Sequence, residues 1–283
     1  MAGWSVRDIP DQNGRVAVVT GADGGLGYLA ARELARRGAR LVLACRSERR
    51  GNAAVTRLAA EVPGARAELR RLDLADLASV RQFAEGLPYA RVGLLVNSAG
   101  VTAAPRGTTT ADGYETHFGV NHLGHFALTG LLLPALVAGP GARVVTVSSQ
   151  LHLLADVDLS GRVRARRSGR WTACARSRSA NLLFTHELAR RLALNGTPVV
   201  AVAAHPGCRV PARPPEARVL PVLYAATTPG IRPDSYTGPS RAPRGGAPVP
   251  SWRAPRTRDD ATAERLWAAS ERMTGVAYEV LKR

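Results

Sequence analysis

The stretch RVAVVTGADGGLG, from Arg15 to Gly27, decides the fold of this chain. It opens with a short β-branched run, Arg15 to Thr20, typical of a parallel strand buried on both faces. A glycine-rich turn follows, and Leu26 to Arg37 then spaces its apolar residues along one helical face. A strand, a glycine turn and a helix in this order present backbone N–H groups and a helix N-terminus to a pyrophosphate. The stretch therefore predicts a nucleotide site.

The strand that follows indicates which dinucleotide the site takes. Arg40 to Cys45 reads as a second buried strand, and a site specific for NAD would carry Asp or Glu at its end to bind the ribose hydroxyls. The chain has Arg46 there, with further arginines close behind. A guanidinium suits a 2′-phosphate through charge-assisted hydrogen bonds. We therefore expect NADP, with NAD less favoured.

More strands follow along the chain and set the fold class. Glu68 to Leu74 and Val92 to Val96 read as the third and fourth strands, and helical segments separate the strands. Alternating strands and helices predict an α/β protein with a three-layer, Rossmann-type, doubly wound sheet. We expect one domain over residues 1–283, with about seven mostly parallel strands and helices on both faces. Ligands bind beyond the carboxyl ends of such strands.

Composition narrows the setting and the partners. No apolar run reaches the roughly 18 residues of a membrane span, and the N-terminus lacks the pattern of a signal peptide. The three cysteines, Cys45, Cys174 and Cys208, are widely spaced, which argues against a disulfide framework or a zinc site and favours the cytoplasm. The net charge is +17, but arginine supplies all of the basic residues except Lys282 and is scattered. We therefore expect no nucleic-acid partner, no membrane span and no metal.

Seven short motifs, in their order and spacing, resemble the short-chain dehydrogenase/reductase family, and NHLGHF and ACR resemble its retinol-dehydrogenase-like branch. The motifs are TGADGGLG (20–27), ACR (44–46), DL (73–74), NSAG (97–100), NHLGHF (121–126), VTVSS (145–149) and HPG (205–207). The resemblance covers nearly the whole chain. Two mild departures are Ser98 and Asp23, where the family usually carries Asn.

The resemblance implies a set of cofactor-binding and catalytic residues. The cofactor would contact Gly21, Asp23, Gly25, Leu26, Gly27, Arg46, Asp73, Leu74, Asn97, Ala99, Gly100, Pro206 and Gly207. In this family a Ser orients the substrate carbonyl and a Tyr supplies the proton. A Lys one helical turn later lowers the pKa of the Tyr, and an Asn sustains a water path to that Lys. Ser149 and Asn121 match the first and last of these positions.

The other two catalytic positions are substituted. The branch usually reads YxQSKxANxLF, and this chain reads CARSRSANLLF from Cys174 to Phe184. Cys174 therefore stands at the Tyr position and Arg178 at the Lys position. A thiol is shorter than a phenol, and we expect Arg178 to lower its pKa and leave a thiolate with no proton to donate. Arg178 keeps the charge of lysine but relays protons poorly.

Three hypotheses follow for this site. The first is an NADP-dependent oxidoreductase acting on a carbonyl or alcohol of a small lipophilic substrate, with proton delivery weakened or rerouted by water through Ser149. The second is a catalytically impaired or non-redox protein, a nucleotide-binding pseudoenzyme or scaffold. The third gives Cys174 a nucleophilic role.

Two segments rich in proline and arginine complete the expectations. Residues 208–222 are predicted to form a shortened substrate lid, which leaves the pocket open and gives no support for retinoid or steroid specificity. Residues 240–258 are predicted to be an exposed Pro/Gly/Arg loop. The resemblance also implies a homodimer or homotetramer that pairs through the helices around Asn121 and Asn181.

Overall fold

A computed structural model describes residues 3–157, 170–207, 214–240 and 246–281. Over these residues the chain forms a single eight-stranded sheet in the order β3-β2-β1-β4-β5-β6-β7-β8. The strands are β1 (Val16–Thr20), β2 (Arg40–Cys45), β3 (Arg66–Arg71), β4 (Leu94–Asn97), β5 (Arg143–Val147), β6 (Val200–Ala204), β7 (Tyr236–Pro239) and β8 (Pro248–Pro250). All neighbouring pairs are parallel except β7 and β8.

Helices cover both faces of this sheet. They are α1 (Gly25–Arg36), α2 (Glu48–Glu61), α3 (Leu77–Glu85), α4 (Thr116–Phe118), α5 (Gly124–Val137), α6 (Arg170–Leu194), α7 (Pro215–Thr227) and α8 (Asp260–Thr274). Neighbouring strand residues such as Val18 and Val19 belong to two separate cores, because side chains alternate between the faces of a strand. The three-layer, doubly wound architecture is therefore confirmed.

The strand order places the nucleotide site. The chain moves outward from β1 through β2 to β3, then returns to the other side of β1 with β4. The crevice between the carboxyl ends of β1 and β4 is the point at which such a sheet binds ligands. Gly21 follows β1 and Ser98 follows β4, so both predicted cofactor loops open into this crevice.

The strand predictions are correct in place but differ in detail. The third strand is Arg66–Arg71 and not Glu68 to Leu74, so Asp73 and Leu74 lie in the loop after it. The fourth strand begins at Leu94 and ends at Asn97. The predicted count of seven is short by one, because β8 pairs antiparallel with β7 through Gly238 and Val249.

The predicted exposed loop, residues 240–258, is wrong for its second half. Residues 241–245 lie outside the described residues, but β8 and a 3-10 turn, Pro255–Arg258, are ordered parts of the fold. Arg253, Ala254 and Thr257 are buried. An isolated run of Pro, Gly and Arg gave no sign of the partners that bury these residues.

The lid prediction for residues 208–222 also needs correction. Residues 208–213 lie outside the described residues, and a helix begins at Pro215. Pro215 occupies the first turn of α7, where its missing N–H has no helical partner to lose. The buried residues of α7, among them Val219 and Val222, join the core beside α1. From Pro215 onward the segment is therefore a helix that packs on the core through its buried face.

Within the described residues, one helical stretch is long and apolar enough to cross a membrane by length and composition. It spans Thr116–Val137, with a mean hydropathy of 1.4, and 72% of its most apolar window is buried inside the fold. His122 within it binds Ser270 of α8, with Nε2 and Oγ 2.8 Å apart. The stretch therefore has the burial of a core helix.

A buried ion network fixes the β7 and β8 region to α6 and α8. Arg253, whose side chain is fully buried, donates to both oxygens of Asp234 at 2.7 and 2.9 Å. His186 of α6 lies between Asp234 and Asp260, at 2.8 Å from Nδ1 and 2.7 Å from Nε2. Asp234 is the only described residue besides glycine with a positive φ, 59°. The network therefore joins segments far apart in sequence.

We expect Asp234→Asn to lower the free energy of unfolding by about 3 kcal/mol, because Arg253 then remains as a buried, unpaired cation. Asparagine tolerates the left-handed backbone, so the change removes the charge without strain. Urea unfolding measures the loss. The matched control is Asp260→Asn, whose exposed carboxylate should contribute less than about 1 kcal/mol. Equal losses in the two variants would contradict this account of the network.

The same network predicts a pH dependence. The hydrogen bond to Asp234 raises the pKa of His186 above its usual 6.5, with Asp260 adding to it and burial opposing it. Because the pKa of His186 is higher in the folded than in the unfolded protein, its protonation stabilises the fold. This stabilisation is complete below the unfolded pKa and is lost as pH rises through the folded pKa. The melting temperature should therefore decline as pH rises above 6.5, and less so in His186→Gln. Parallel declines in the two proteins would assign the effect to other groups.

Candidate functional site

The glycine turn between β1 and α1 forms the floor of a groove. Gly21 has a φ of +66°, and a Cβ there would lie 2.9 Å from Cα of Ala99. A Cβ on Gly27 would lie 2.6 Å from the carbonyl oxygen of Gly21. Both contacts exclude a side chain, so the turn, the loop after β4 and the first turn of α1 approach one another closely. Glycine at these two positions is a structural requirement.

The groove itself has the features that a dinucleotide needs. Its volume is about 350 Å³. A Cβ on Gly24 or Gly25 would meet nothing within 4 Å, so backbone is open to a ligand there. No side chain caps the N-terminus of α1, a helix of 12 residues, which leaves its first N–H groups and positive dipole end for a phosphate. The residues present therefore fit a pyrophosphate.

Most of the predicted cofactor residues line this groove, together with several that the sequence did not single out. The predicted ones are Gly21, Asp23, Leu26, Gly27, Arg46, Asp73, Leu74, Ala99 and Gly100. The additional ones are Gly24, Ala44, Arg50, Leu72, Ala75, Ser98, Val101, Thr116 and Val120. Thr116 and Val120 lie just before the NHLGHF motif. That motif is the sequence feature from which their place in the groove could have been predicted.

The remaining predicted cofactor residues lie elsewhere. Gly25 begins α1 at the edge of the groove. Asn97 is fully buried, and its Nδ2 donates to Oγ1 of Thr129 on α5 at 3.0 Å. Pro206 and Gly207 follow β6, where the N–H of Gly207 donates to Nδ1 of His205 at 3.1 Å. Asn97 therefore positions its loop through a side chain that points into the interior.

Thr20 joins the groove to the catalytic region, a role that the sequence did not reveal. Its hydroxyl oxygen accepts the N–H groups of Ser98 and Ala99, both at 2.9 Å, and lies 2.9 Å from Nε2 of His125. Nδ1 of His125 lies 3.0 Å from the carbonyl oxygen of Asn121, so Nδ1 carries the proton and Nε2 accepts from Thr20. Burial lowers the pKa of His125 to about 4, which keeps this neutral form.

Asn121 lies in a single π-helical turn, Gly119–Leu123, between α4 and α5. Such turns occur often at functional sites. The Oδ1 of Asn121 accepts the N–H of Val101 at 2.8 Å, and Nδ2 donates to the carbonyl of Val101 and to Oγ of Ser177. Ser177 in turn donates to the carbonyl of Cys174 at 2.7 Å. Asn121 therefore links the cofactor loop to the catalytic helix.

Ser149 is half-buried and lies two residues beyond the end of β5 at Val147, so it does not itself end the strand. Its Oγ accepts the N–H of Leu151 at 3.2 Å and caps a short 3-10 turn. Its carbonyl oxygen accepts from Nδ1 of His152 at 2.7 Å. Because Oγ accepts in this arrangement, its hydroxyl proton is free to point at a substrate oxygen.

Cys174 is fully buried in the first half of α6. Burial raises the pKa of its thiol, and this outweighs the charge and hydrogen bond of Arg178, which act to lower it. The expectation of a thiolate is therefore wrong. The residue keeps its proton at neutral pH, but inside the protein and not at an open surface.

Arg178 belongs to α6 and is 7% exposed, and its side chain extends toward the loop after β4. Its Nη1 donates to the carbonyl oxygen of Val147 at 3.0 Å. A Cβ on Gly100 would lie 2.7 Å from its Nη2, so the guanidinium rests against the NSAG loop. Burial lowers the pKa of Arg178, and the neighbouring Cys174 opposes that shift. The guanidinium therefore reaches Gly100, one of the residues that line the groove.

Glu115 bears on the chemistry of Cys174, and His117 is bound to Glu115. Glu115 acts electrostatically on the thiol and, like burial, raises its pKa. His117 is bound to Glu115 through Nδ1 at 2.8 Å, and its Nε2 accepts the N–H of Ala104 at 3.4 Å. Both ring nitrogens of His117 are therefore occupied by these two contacts. Among the described residues no hydrogen bond joins a histidine to Cys174, so these contacts give no support to the nucleophilic hypothesis.

Tyr114 and Tyr236 lie outside α6, the helix on which the family carries its phenol. Tyr114 donates its hydroxyl to the carbonyl of Met273 at 2.7 Å. Tyr236 is buried against the rings of His152 and His205, with centroids 5.6 and 5.0 Å away. Burial raises the pKa of Tyr236, which makes it a weaker acid than an exposed phenol.

Comparison with known proteins gives consistent matches over nearly the whole chain. The family model described as short chain dehydrogenase matches residues 15–209. Retinol dehydrogenase 12 of Homo sapiens is 39% identical over 281 residues, which cover 94% of this chain and 88% of that protein. Polyprenol dehydrogenase of Mus musculus is 47% identical over 208 residues, which cover 70% of this chain and 61% of that protein.

A solved structure also matches closely. The crystal structure of an uncharacterized protein from Mycobacterium paratuberculosis is 42% identical to this chain. The alignment covers 98% of this chain and 99% of that one, with a TM-score of 0.88. The agreement extends over both the nucleotide-binding half and the C-terminal strands and helices.

The burial of Cys174 predicts slow modification. At pH 7.5 we expect iodoacetamide to alkylate Cys174 in the folded protein about 100-fold more slowly than in the urea-unfolded chain, because a buried thiol of raised pKa supplies little thiolate. Peptide mapping by mass spectrometry separates Cys174 from Cys45 and Cys208. Rapid alkylation in the folded protein, made slower by Arg178→Gln, would instead identify an activated thiolate.

Proposed function

Because the chain belongs to the short-chain dehydrogenase/reductase family of NAD(P)-dependent oxidoreductases, we propose that it uses NADP(H) to interconvert a carbonyl and an alcohol. The substrate class that we propose is a small lipophilic molecule, consistent with the retinol and polyprenol named for two relatives. The observation that carries the proposal is the groove between β1 and β4. Its glycine turn fits a pyrophosphate, and two residues that line it, Val101 and Gly100, contact Asn121 and Arg178.

The preference for NADP rests on charge at the ribose end of the groove. Arg46 follows β2 directly, and both Arg46 and Arg50 line the groove. Guanidinium groups form strong, charge-assisted hydrogen bonds with a phosphate. A carboxylate at the end of β2, as expected for an NAD site, is absent there because Cys45 and Arg46 occupy these positions.

When bound, the cofactor supplies or accepts the hydride at the carbon of the carbonyl or alcohol group. Within the chain, Ser149 would orient the substrate oxygen, since its Oγ already accepts the N–H of Leu151 and its proton can be donated outward. Asn121 holds the cofactor loop and the catalytic helix in register through Val101 and Ser177. Arg178 places a fixed positive charge beside Gly100, where it favours developing negative charge.

In the proposed reaction, proton delivery is the step that the two substitutions slow. Cys174 retains its proton, yet its side chain is fully buried and shorter than a phenol. Arg178 holds its protons at any ordinary pH and cannot relay one. We therefore propose that water reaches the substrate oxygen past Ser149 and completes the proton transfer, at a rate below that of a site with a positioned phenol.

The full burial of Cys174 also favours a second candidate function. A chain that binds the nucleotide but has no acid at the substrate would act as a nucleotide-binding pseudoenzyme or scaffold. Both functions use the same groove, and they differ in turnover. We further propose a cytoplasmic location, with Cys45 and Cys174 as free thiols, and a homodimer or homotetramer.

The double variant Cys174→Tyr/Arg178→Lys separates the two functions. We expect it to reduce small aromatic and aliphatic aldehydes with NADPH at least about 100-fold faster than the parent chain, because a positioned general acid contributes roughly 100- to 10,000-fold. Absorbance at the NADPH band measures turnover, and fluorescence titration shows whether both proteins bind NADPH. Melting temperatures check that the larger tyrosine is accommodated.

Cys174→Ala is the matched control. If water supplies the proton, this variant keeps the turnover of the parent within about twofold, whereas a thiol acid would be lost with a large decrease. A parent already as fast as the double variant would contradict the proposed weakness in proton delivery. Absence of NADPH binding at millimolar concentration would contradict the nucleotide site itself.

A further inference from the structure

A carboxylate and a guanidinium face each other at the ribose end of the groove. Asp23 belongs to the glycine turn, and Arg50 is the third residue of α2. Arg50 Nη2 lies 2.5 Å from Asp23 Oδ2. Both residues line the groove together with Arg46. The pair therefore connects the phosphate-binding turn to the helix that follows β2.

The two partners differ in freedom. The side chain of Asp23 is 12% exposed and held in the turn, whereas that of Arg50 is 58% exposed. The close approach of Arg50 partners Oδ2 of Asp23, and it depends on a long side chain that is mostly in solvent. A carboxylate can accept several hydrogen bonds, so Asp23 can accept a ligand hydroxyl while it keeps its contact with Arg50. The long, exposed Arg50 can move away at little cost.

A ribose 2′-hydroxyl and a 2′-phosphate would meet this pair differently. The hydroxyl can donate to a carboxylate and needs no cation. The phosphate carries charge that Asp23 repels and that Arg46 and Arg50 attract. Asp23 therefore disfavours the 2′-phosphate that the two arginines attract. The position of Arg50 decides which of the two ligands is favoured.

We propose that Asp23 and Arg50 form an exchangeable ion pair that determines coenzyme specificity. With a 2′-hydroxyl ligand, Arg50 stays near Asp23 and the carboxylate accepts from the ribose. With a 2′-phosphate ligand, Arg50 leaves Asp23 and joins Arg46 on the phosphate. The site then accepts both coenzymes with a small preference for NADP, which Asp23 limits. This inference rests on the proposed nucleotide function and adds Asp23 as a specificity-determining residue.

The test uses two adenylates that report on this end of the groove alone. Adenosine 2′,5′-bisphosphate and 5′-AMP differ only in the 2′-phosphate, and neither requires turnover. Calorimetry on the full chain at low ionic strength gives both dissociation constants, because salt screens exposed charges. For the parent we expect constants within about tenfold of each other.

Three single variants give distinct results. Asp23→Asn should tighten the bisphosphate by about tenfold and weaken 5′-AMP by about threefold, because it removes the repulsion and weakens the acceptor. Arg50→Gln should weaken the bisphosphate by about tenfold and leave 5′-AMP within about twofold. Arg49→Gln is the matched control, since the adjacent Arg49 is exposed and does not line the groove, and it should change neither constant by more than about twofold.

An unchanged ratio of the two constants in Asp23→Asn would overturn the proposal, even if both affinities fell. If the parent binds the bisphosphate more than about 100-fold more tightly than 5′-AMP, the proposal is also overturned, because Asp23 would then not limit binding of the 2′-phosphate. Failure of the parent to bind either adenylate would overturn the nucleotide site and this proposal together. Binding with an unchanged ratio would overturn this proposal alone and leave the proposed function intact.

Discussion

The hydroxyl of Thr20 joins three segments on which the groove depends. It accepts two N–H groups from the loop after β4 and donates its own proton to His125 on α5. His125 in turn donates to the carbonyl of Asn121. All of these groups are buried or half-buried, so losing the hydroxyl would leave donors unsatisfied away from water. The cofactor loop and the catalytic turn are therefore held at a fixed distance by the last residue of the first strand.

Local patterns predicted the elements, and distant pairings escaped prediction. The run from Arg15 to Gly27 carries its own strand, turn and helix signals, and each has the expected place. By contrast, β8 forms because its backbone pairs with β7, and its own residues, Pro-Val-Pro, have poor strand propensity. The union of Asp234, His186 and Arg253 likewise depends on three separate segments. Such contacts leave no periodic pattern in the sequence from which they could be predicted.

The same distinction explains the candidate site. Motif spacing located the loops that line the groove, because glycines and strand ends are local features. It also placed Cys174 and Arg178 one helical turn apart, which led to the expectation of a lowered thiol pKa. Spacing along a helix gives proximity but not solvent exposure. Full burial penalises the thiolate more than the nearby guanidinium favours it, so the shift has the opposite direction.

The two outer strands have a consequence for the behaviour of the protein at high concentration. An open sheet edge is a template on which another chain can add a strand, and natural proteins obstruct it with proline or charge. On one side β8 is only three residues long, and Pro248 and Pro250 have no N–H to offer. On the other side β3 reads RAELRR and carries charged residues along its length. Both edges therefore discourage the pairing of strands between molecules, and this protects the sheet from aggregation.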